Sequence, residues 1–423
     1  MKKLIDYSRE ELVEFEALVR KKYEEIVSMN ISLNMARGKP APSQLDLSND
    51  ILDAKISYTD SEGFDCRNYG LLYGIPECRK LFGEILGVPS KNVIACGSSS
   101  LNLMFDYIAQ CCYKGVLGNE PWIYNKNRKF IAVVPGYDRH FAIAEYFGLE
   151  MINVAMTSDG PDMDIIEEII KDPDVKGMFC VPKYSNPDGI TYSDETVIRL
   201  AKMQPAAKDF RVIWDNAYAV HDFDEHGDVL LNIFEEAEKY GNEDHFVAFT
   251  STSKITFAGA GVSAIAASDN NFNDISSRLT LQTISYDKIN QLRHAHFYKS
   301  LFDIKAQMKK HAEILKPKFS VVLEVLDKEL NGLGIAYWNE PKGGYFISLD
   351  VTVGSAKYVG ELCKTAGLVL TNVGATYPYG IDPDDKNIRL APSYPSVDEL
   401  RIAAEIVCLA VKLAACKYLL ENN

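Results

Sequence analysis

Several patterns that mark common protein classes are missing from this sequence. Its nine cysteines are scattered, include the adjacent pair Cys111-Cys112 and contain no C-x-x-C spacing. Neither a disulfide framework nor a zinc site is indicated, and we expect no metal site. No uninterrupted apolar run is long enough to cross a membrane, so we expect no membrane partner. The apolar segment 400–420 is interrupted by charged residues and predicts an amphipathic helix.

An excess of basic residues is also missing, since the formal net charge is -14. Such a charge argues against binding to a nucleic-acid backbone, although it leaves room for a local basic pocket that holds a small anion. No apolar run follows Lys2 and Lys3, so we expect no signal peptide. The scattered cysteines favour a cytoplasmic protein.

Length and composition predict two domains. The residues are 47% hydrophobic and 25% charged, a composition that allows a large core. The length of 423 residues exceeds the length at which a single core usually stops growing. Internal repeats, low-complexity tracts and Gly/Ser-rich linkers are absent. We therefore expect a fixed hinge between the domains and no flexible tether.

Short apolar segments recur along the first two thirds of the chain and are mostly separated by segments of helical length. They predict strands at 93–96, 130–134, 177–181, 211–214 and 246–249. Near-continuous apolar strands that alternate with helices are typical of an α/β fold with a mainly parallel sheet covered on both faces. A long charged helix at 299–330 and a strand at 343–349 then predict a smaller α+β domain.

Chemically distinctive residues lie at the ends of these predicted strands. Asn186 lies in a predicted turn, Asp215 directly follows a predicted strand, and Lys254 ends the motif Ser251-Thr252-Ser253-Lys254. Pyridoxal 5'-phosphate (PLP) needs a lysine for its aldehyde, a carboxylate for its pyridinium nitrogen and donors for its phenolate oxygen. Lys254, Asp215 and the donors Asn186 and Tyr218 therefore predict a PLP site.

A phosphate cup is predicted where a strand leads into a helix. Gly97, Ser98 and Ser99 lie between the strand at 93–96 and a helix-like segment, where free amides and small hydroxyl groups suit a dianion. Ser251 and Ser253 are candidates for further donors, since both lie close to Lys254.

This order of motifs resembles the fold-type I aminotransferases of class I/II, over residues 30–395. The resemblance implies a PLP-dependent transferase fold of the aspartate aminotransferase type, with a large domain around a mostly parallel sheet and a smaller α+β domain. It implies that Lys254 binds PLP covalently, that Asp215 pairs with the pyridinium, and that Tyr137 stacks on the ring. Asn186 and Tyr218 take the places of the phenolate donors. The predicted division is 1–45 for an N-terminal arm and helix on the small domain, 46–295 for the large domain and 296–423 for the small domain.

The same resemblance assigns residues to the substrate and to a second subunit. Arg389 and Gly38 take the places of the residues that bind the substrate α-carboxylate. Tyr69 is similar to the tyrosine that reaches the phosphate of the neighbouring subunit, which implies a homodimer with shared active sites. Arg37 is a candidate cation for a second substrate carboxylate. Lys288 and Arg293 are further candidates.

A bacterial aspartate aminotransferase-like group, sometimes labelled MocR-type, is similar in three short segments: Arg37-Gly38-Lys39-Pro40, Ala258-Gly259-Ala260-Gly261-Val262 and Asn290-Gln291-Leu292-Arg293-His294. One departure concerns the phosphate, because many relatives have an arginine seven residues after the lysine, where this chain has Gly261. We expect transamination between L-aspartate and 2-oxoglutarate by a ping-pong mechanism, with an amino acid and a 2-oxo acid as small-molecule partners. Alternatives are an aminotransferase for alanine or an aromatic amino acid, a PLP-dependent lyase, or a non-catalytic regulatory domain.

Other interpretations remain open or fail on context. Taken singly, Asp215 or the serines at 98–100 could cap a helix, Tyr137 could belong to the core, and Arg389 could form a surface ion pair. Ser251-Thr252-Ser253-Lys254 matches the S-x-x-K of serine acyltransferases, but the expected K-T-G is missing. The G-x-G-x-x-A at 259–264 leads into a strand-like segment, whereas a dinucleotide fingerprint leads into a helix.

Overall fold

A computed structural model describes residues 2–422 of the chain. The helices are α1 (Arg9–Ser28), α2 (Pro42–Asp46), α3 (Asp50–Asp53), α4 (Pro76–Leu86), α5 (Ser100–Tyr113), α6 (Asp138–Tyr146), α7 (Met163–Ile169), α8 (Asp194–Lys202), α9 (Ile233–Glu238), α10 (Asp269–Gln282), α11 (Lys288–Phe297), α12 (Leu301–Leu330), α13 (Ala356–Thr365) and α14 (Val397–Asn422). The strands are β1 (Leu33–Asn34), β2 (Val93–Ala95), β3 (Lys129–Val134), β4 (Glu150–Thr157), β5 (Gly160–Pro161), β6 (Val175–Cys180), β7 (Arg211–Asp215), β8 (Phe246–Ser251), β9 (Ser263–Ala267), β10 (Ala336–Trp338), β11 (Ile347–Val351), β12 (Leu368–Val369) and β13 (Asn387–Leu390).

An eight-stranded sheet forms the centre of the protein, in the order β2-β9-β8-β7-β6-β3-β4-β5. Its middle strands, from β8 to β4, are parallel to one another, whereas β2, β9 and β5 pair antiparallel with their neighbours. The predicted α/β fold with a mostly parallel sheet is confirmed. β9 also shows that the glycine-rich segment before it leads into a strand, as expected, and therefore lacks the helix that a dinucleotide site requires.

Both faces of this sheet are covered, which explains why its strands are apolar throughout. Successive residues of β7 point to opposite faces: Val212 and Trp214 join the core on one side, and Ile213 joins the core on the other. All five residues of β7 are buried. The last of them is Asp215, so burial of a carboxylate follows directly from the position of that residue in the sheet.

A third core connects the two ends of the chain. It contains Leu12 and Val19 of α1 together with residues of α12 and α14. The antiparallel sheet β10-β11-β13 packs on the same core, and β1 pairs in parallel with β12. The start of α1 is fixed by a capping box between Ser8 and Glu11. The division at 45/46 and 295/296 remains a prediction.

All nine cysteines are buried and unpaired with one another. Burial raises the pKa of Cys78 and Cys111 above the ordinary thiol value. Within residues 2–422, no cluster of potential ligands suits a metal ion, and no helix is both long and apolar enough to span a membrane.

Candidate active site

The candidate site lies at the carboxyl ends of the parallel strands, where α/β proteins place their ligands. Asp215 is the last residue of β7, and its Cα lies opposite that of Phe249 in the neighbouring β8. Lys254 follows three residues after the end of β8. Pairing of the two strands therefore brings the predicted carboxylate and the predicted lysine to the same edge of the sheet.

Asp215 is held on one side only. One carboxylate oxygen, Oδ2, lies 3.0 Å from Nε2 of His140, and both side chains are almost completely buried. The ring of His140 is itself fixed by stacking on Phe179, with the ring centroids 4.3 Å apart. The other oxygen, Oδ1, is buried and has no hydrogen-bond partner among the described residues. An unsatisfied buried carboxylate oxygen is costly, so this atom is suited to accept a hydrogen bond from a cationic ligand.

Lys254 lies among aromatic rings. Its Nζ is 5.0 Å from the ring centroid of Tyr218 and 5.7 Å from that of Tyr345. Burial lowers the pKa of Lys254, while the charge of Asp215 acts in the opposite direction. A lowered pKa means that the neutral amine, which is the nucleophilic and basic form of a lysine, forms more readily here than in water.

Three more groups around the lysine are held uncharged. Burial, together with the charge of Lys254, keeps the pKa of His221 well below its ordinary value. Burial raises the pKa of Tyr137 to about 12 and raises the pKa of Tyr218 well above its ordinary value. Both phenols therefore keep their protons at neutral pH and can donate hydrogen bonds.

The residues of the predicted phosphate cup lie close together and are connected by hydrogen bonds. Ser251 donates to Ser253 over 3.0 Å, and Ser253 donates to the main-chain oxygen of Ser98 over 3.2 Å. The main-chain oxygen of Gly97 accepts from the amide and the hydroxyl of Ser263, in each case over 2.6 Å. Ser99 caps α5 by accepting from the amide of Asn102 at 3.3 Å. The helix-cap interpretation therefore applies to Ser99, and a contact between Ser99 and phosphate remains a prediction.

Gly261 stands where many relatives have the phosphate-binding arginine, and it has no room for a side chain. A Cβ there would lie 2.8 Å from Oγ1 of Thr252 and 2.9 Å from the main-chain oxygen of Phe257. Oγ1 of Thr252 also accepts from the amide of Val262 at 2.9 Å. The backbone of this turn is therefore too close to its neighbours for any residue larger than glycine at this position.

Arg389 lies in β13, far along the chain from the other site residues, and is only 7% exposed. Its Nη1 donates to Oδ1 of Asp138 at 2.8 Å and to Oδ1 of Asn186 at 3.2 Å. Its Nε donates to Thr371 at 3.4 Å, and the guanidinium carbon lies 5.0 Å from the ring centroid of Phe346. Arg389 and Asn186 are therefore in contact, as their predicted roles at one site require.

Gly38 explains how Phe346 reaches Arg389. A Cβ at Gly38 would lie 2.4 Å from Cζ of Phe346, so the ring occupies space that any larger residue would fill. The neighbouring Arg37 is exposed. Tyr69 lies on the surface of the chain and is 73% exposed.

A buried carboxyl group lies beside Asn186. Asp188, in the same turn, is 6% exposed. Burial raises its pKa to about 7; a hydrogen bond from Ser348 lowers it and the charge of Asp350 raises it further. Ser348 and Asp350 belong to β11, so this carboxyl group connects the turn with the small antiparallel sheet.

Four residues of the site were not found from the sequence: His140, Tyr345, Asp138 and Phe346. His140 carried a usable signal, because it lies three residues after Tyr137 near the end of a predicted strand. The other three depend on contacts between distant segments. Asp138 and Arg389, for example, are 251 positions apart in the sequence.

The fold and the site together define an α/β enzyme of the PLP-dependent aminotransferase class. A family model described as aspartate amino-transferase matches residues 7–423, and the chain belongs to that family. An aspartate aminotransferase of Corynebacterium glutamicum is 46% identical over 98% of this chain and 97% of its own length. A protein of Mycolicibacterium smegmatis named as an aminotransferase is 44% identical over 98% of both chains.

Solved structures agree with this assignment. A crystal structure of an aspartate transaminase from Corynebacterium glutamicum superposes with a TM-score of 0.96 at 45% identity and covers 99% of both chains. An α-aminoadipate aminotransferase from Thermus thermophilus, complexed with N-(5'-phosphopyridoxyl)-L-leucine, has a TM-score of 0.73 at 19% identity over 99% of this chain and 97% of its own. The second likeness shows the fold alone. The resemblance to fold-type I aminotransferases is confirmed, and the family implies PLP as cofactor and amino and 2-oxo acids as substrates.

Proposed function

We propose that this enzyme transfers the amino group of L-aspartate to 2-oxoglutarate by a ping-pong mechanism, with PLP bound at Lys254. The observation that carries the proposal is that Asp215, which has an unsatisfied carboxylate oxygen, and Lys254, whose pKa is lowered, lie at the same edge of the sheet. The choice of aspartate is supported by the relative that is named an aspartate aminotransferase.

The residues present fit the cofactor. A pyridinium N–H is a cationic donor of the kind that Oδ1 of Asp215 lacks, and His140 holds the other oxygen in place. Tyr137 would stack on the ring, and Tyr218 and Asn186 would donate to the phenolate oxygen. Gly97, Ser98, Ser99, Ser251 and Ser253 would surround the phosphate group.

The proposed chemistry requires a base at the α-carbon of the substrate. When bound, PLP supplies electron withdrawal from that carbon and temporary storage of the amino group. Nζ of Lys254 accepts the α-proton, a role for which its lowered pKa is suited because a neutral amine is available at neutral pH. Tyr218 and Tyr345 flank the amine and limit the directions from which a substrate approaches it.

Arg389 would bind the α-carboxylate of the substrate, with Gly38 close by. A guanidinium fork suits a carboxylate held by two hydrogen bonds, and Asn186 and Phe346 fix the orientation of that fork. The α-carbon is thereby placed between a fixed cation and the base Lys254, so only one enantiomer presents its proton to the amine.

A second cation would recognise the distal carboxylate. Arg37 is exposed, Lys288 is buried with its pKa lowered by burial, and Arg293 has a buried Nε without a hydrogen-bond partner in the described chain. Of the three, Arg293 is the one with a buried donor that a carboxylate would satisfy. Replacement of each by glutamine, scored by the ratio of L-aspartate to L-alanine turnover, identifies the cation as the one whose loss lowers that ratio.

A homodimer would complete the phosphate site. The 73% exposure of the Tyr69 side chain leaves it free to reach across to a second subunit. With Gly261 in the place of the arginine, the donors of one subunit are neutral hydroxyl groups, and a phenol from the partner adds another. Sedimentation of the purified protein and the PLP affinity of Tyr69→Phe test this arrangement.

The test of the proposed reaction is an absorbance titration of the PLP-loaded protein. L-Aspartate, L-alanine and L-phenylalanine are added separately, followed by 2-oxoglutarate, with Lys254→Ala as the control. We expect L-aspartate to convert the cofactor spectrum, 2-oxoglutarate to restore it, and the Lys254→Ala protein to do neither.

Other outcomes separate the alternatives. Conversion by L-alanine or L-phenylalanine alone would reject aspartate and keep the aminotransferase. A cofactor spectrum that changes and then returns to its starting form without an added 2-oxo acid would indicate a lyase. A cofactor spectrum that no amino acid changes would favour a regulatory domain, and a protein that binds no PLP would reject the proposal as a whole.

A further inference from the structure

The contact between Arg389 and Asp138 places a carboxylate of the protein on the guanidinium that would bind the substrate carboxylate. Nη1 of Arg389 lies 2.8 Å from Oδ1 of Asp138. The arginine is 7% exposed and the aspartate side chain 32% exposed, so the pair lies at the border of the site and not on the open surface. This inference rests on the proposed role of Arg389 as the carboxylate-binding residue.

Counting hydrogens shows that this contact and a bidentate substrate compete. Nη1 of an arginine carries two hydrogens, and here one is donated to Asp138 and the other to Asn186. Nη2 makes no hydrogen bond within residues 2–422. A carboxylate that binds across Nη1 and Nη2 therefore needs one hydrogen that is already in use.

The other edge of the Arg389 guanidinium, which includes Nε, is less available to a substrate carboxylate. Nε donates to Oγ1 of Thr371, and that hydroxyl is held by its own bond to the main-chain oxygen of Ala36 at 2.5 Å. Of the two partners of Nη1, Asn186 is 5% exposed and fixed in a buried turn, whereas Asp138 is the more exposed. Asp138 is thus the partner that can leave.

The charge of Asp138 is favoured by its place in the helix even without Arg389. Asp138 is the first residue of α6, where the unpaired amides and the helix dipole favour a negative charge. Two carboxylates close to one guanidinium repel each other, so arrival of the substrate and departure of Asp138 are coupled.

We propose that Asp138 occupies the α-carboxylate position on Arg389 in the substrate-free enzyme, that each substrate displaces it, and that it thereby sets the affinity of the site for carboxylates. The apparent affinity is the intrinsic affinity multiplied by the fraction of enzyme in which Arg389 is free. The same fraction applies to the amino acid and to the 2-oxo acid, because both present an α-carboxylate. Asp138 also promotes release of the product by returning to Arg389.

The experiment measures binding of succinate, a dicarboxylate that cannot react, to the PLP-loaded enzyme by isothermal titration calorimetry. Asp138→Asn and Asp138→Ser both remove the competing charge, and we expect each to lower the succinate Kd about tenfold. The KM values for L-aspartate and 2-oxoglutarate should fall by similar factors, kcat should not rise, and the ratio of L-aspartate to L-alanine turnover should stay the same.

Asp164→Asn is the matched control, because Asp164 also lies in the first turn of a helix and pairs with an arginine, Arg199, at 2.6 Å. It should leave the succinate Kd unchanged. An unchanged or higher succinate Kd in both Asp138 variants would show that the aspartate holds Arg389 in place for the substrate and does not compete.

Arg389→Gln separates this inference from the proposed function. If Arg389→Gln binds succinate as well as the unmodified enzyme does, Arg389 is not the carboxylate site and the proposed assignment fails. If it loses succinate binding while the Asp138 variants bind no more tightly, only the displacement of Asp138 is rejected.

Discussion

The part of the site around Lys254 and the part around Arg389 treat charge in opposite ways. Lys254 lies among aromatic rings and makes no ion pair within residues 2–422, and the nearby Asp215 keeps one oxygen unsatisfied. Arg389 is paired with Asp138, and a further buried carboxyl group, Asp188, lies in the turn that contacts it. In the proposed function, the first part receives a cofactor that stays bound. In the proposed displacement of Asp138, the second part exchanges an internal partner for a substrate in every half-reaction.

The largest expected effect comes from removing the amine of the first part. Lys254→Ala should lower kcat/KM about 10⁴-fold or more, because the variant loses both the base and the covalent attachment of the cofactor. A coupled assay for oxaloacetate measures the loss. Lys239→Ala, which removes an exposed lysine, should retain full activity. A residual rate above about 1% would place the proton transfer on another residue.

Neutralising the carboxylate of the first part should have the next largest effect. Asp215→Asn keeps the shape and a hydrogen bond to His140 but removes the charge opposite the ring nitrogen, and we expect kcat to fall about 10²- to 10³-fold. Single-turnover absorbance isolates the chemical step. If the rate is unchanged but PLP binds more weakly, the carboxylate serves binding alone.

Asp188→Asn tests whether the buried carboxyl group in the second part lowers the stability of the protein. The pKa of about 7 in the folded protein exceeds the ordinary aspartate pKa of 3.8, so the folded state keeps this proton to higher pH than the unfolded chain does. Deprotonation of this carboxyl group therefore lowers the free energy of unfolding progressively as the pH rises from 4 to 7, and by a constant amount above pH 7. Asp188→Asn should stabilise the protein by up to about 4 kcal/mol above pH 7 and by little near pH 4.

Thermal unfolding of Asp188→Asn from pH 5 to 8 measures this pH dependence, with the exposed Asp159→Asn as the control. A gain in Tm that is the same at all pH values would contradict the buried-acid explanation, since only a titrating group changes its contribution with pH.

The smallest expected effect concerns the support of Arg389. Gly38→Ala places a methyl group against the Phe346 ring, which must then shift by about one ångström to reach ordinary contact distance. Because that ring lies beneath the guanidinium, we expect KM for the amino acid to rise about three- to tenfold with little change in kcat. Steady-state kinetics with Gly259→Ala, which meets nothing within 4 Å, as the control checks this. A loss in kcat alone would point away from carboxylate binding.

The two parts of the site also differ in how far they could be predicted from the sequence. Asp215 and Lys254 were found because each follows an apolar strand, and strands of that kind predict a parallel sheet whose ends meet. The contacts of Arg389 could not be found in the same way, since Asp138 and Phe346 reach it by folding of distant segments. Arg389 itself was assigned by resemblance. The closed turn at Gly261 depends on the hydroxyl of Thr252, which no spacing rule reveals.

The burial of every cysteine has a practical consequence for watching this site at work. Thiol-directed reagents find no exposed target on the native chain, since all nine sulfhydryl groups lie in the interior. A single cysteine introduced at an exposed position of the N-terminal segment such as Leu18 or Met29 can therefore carry a fluorophore or a spin label without first replacing the native ones. Assembly of the proposed homodimer then becomes directly observable by spectroscopy in otherwise unmodified protein.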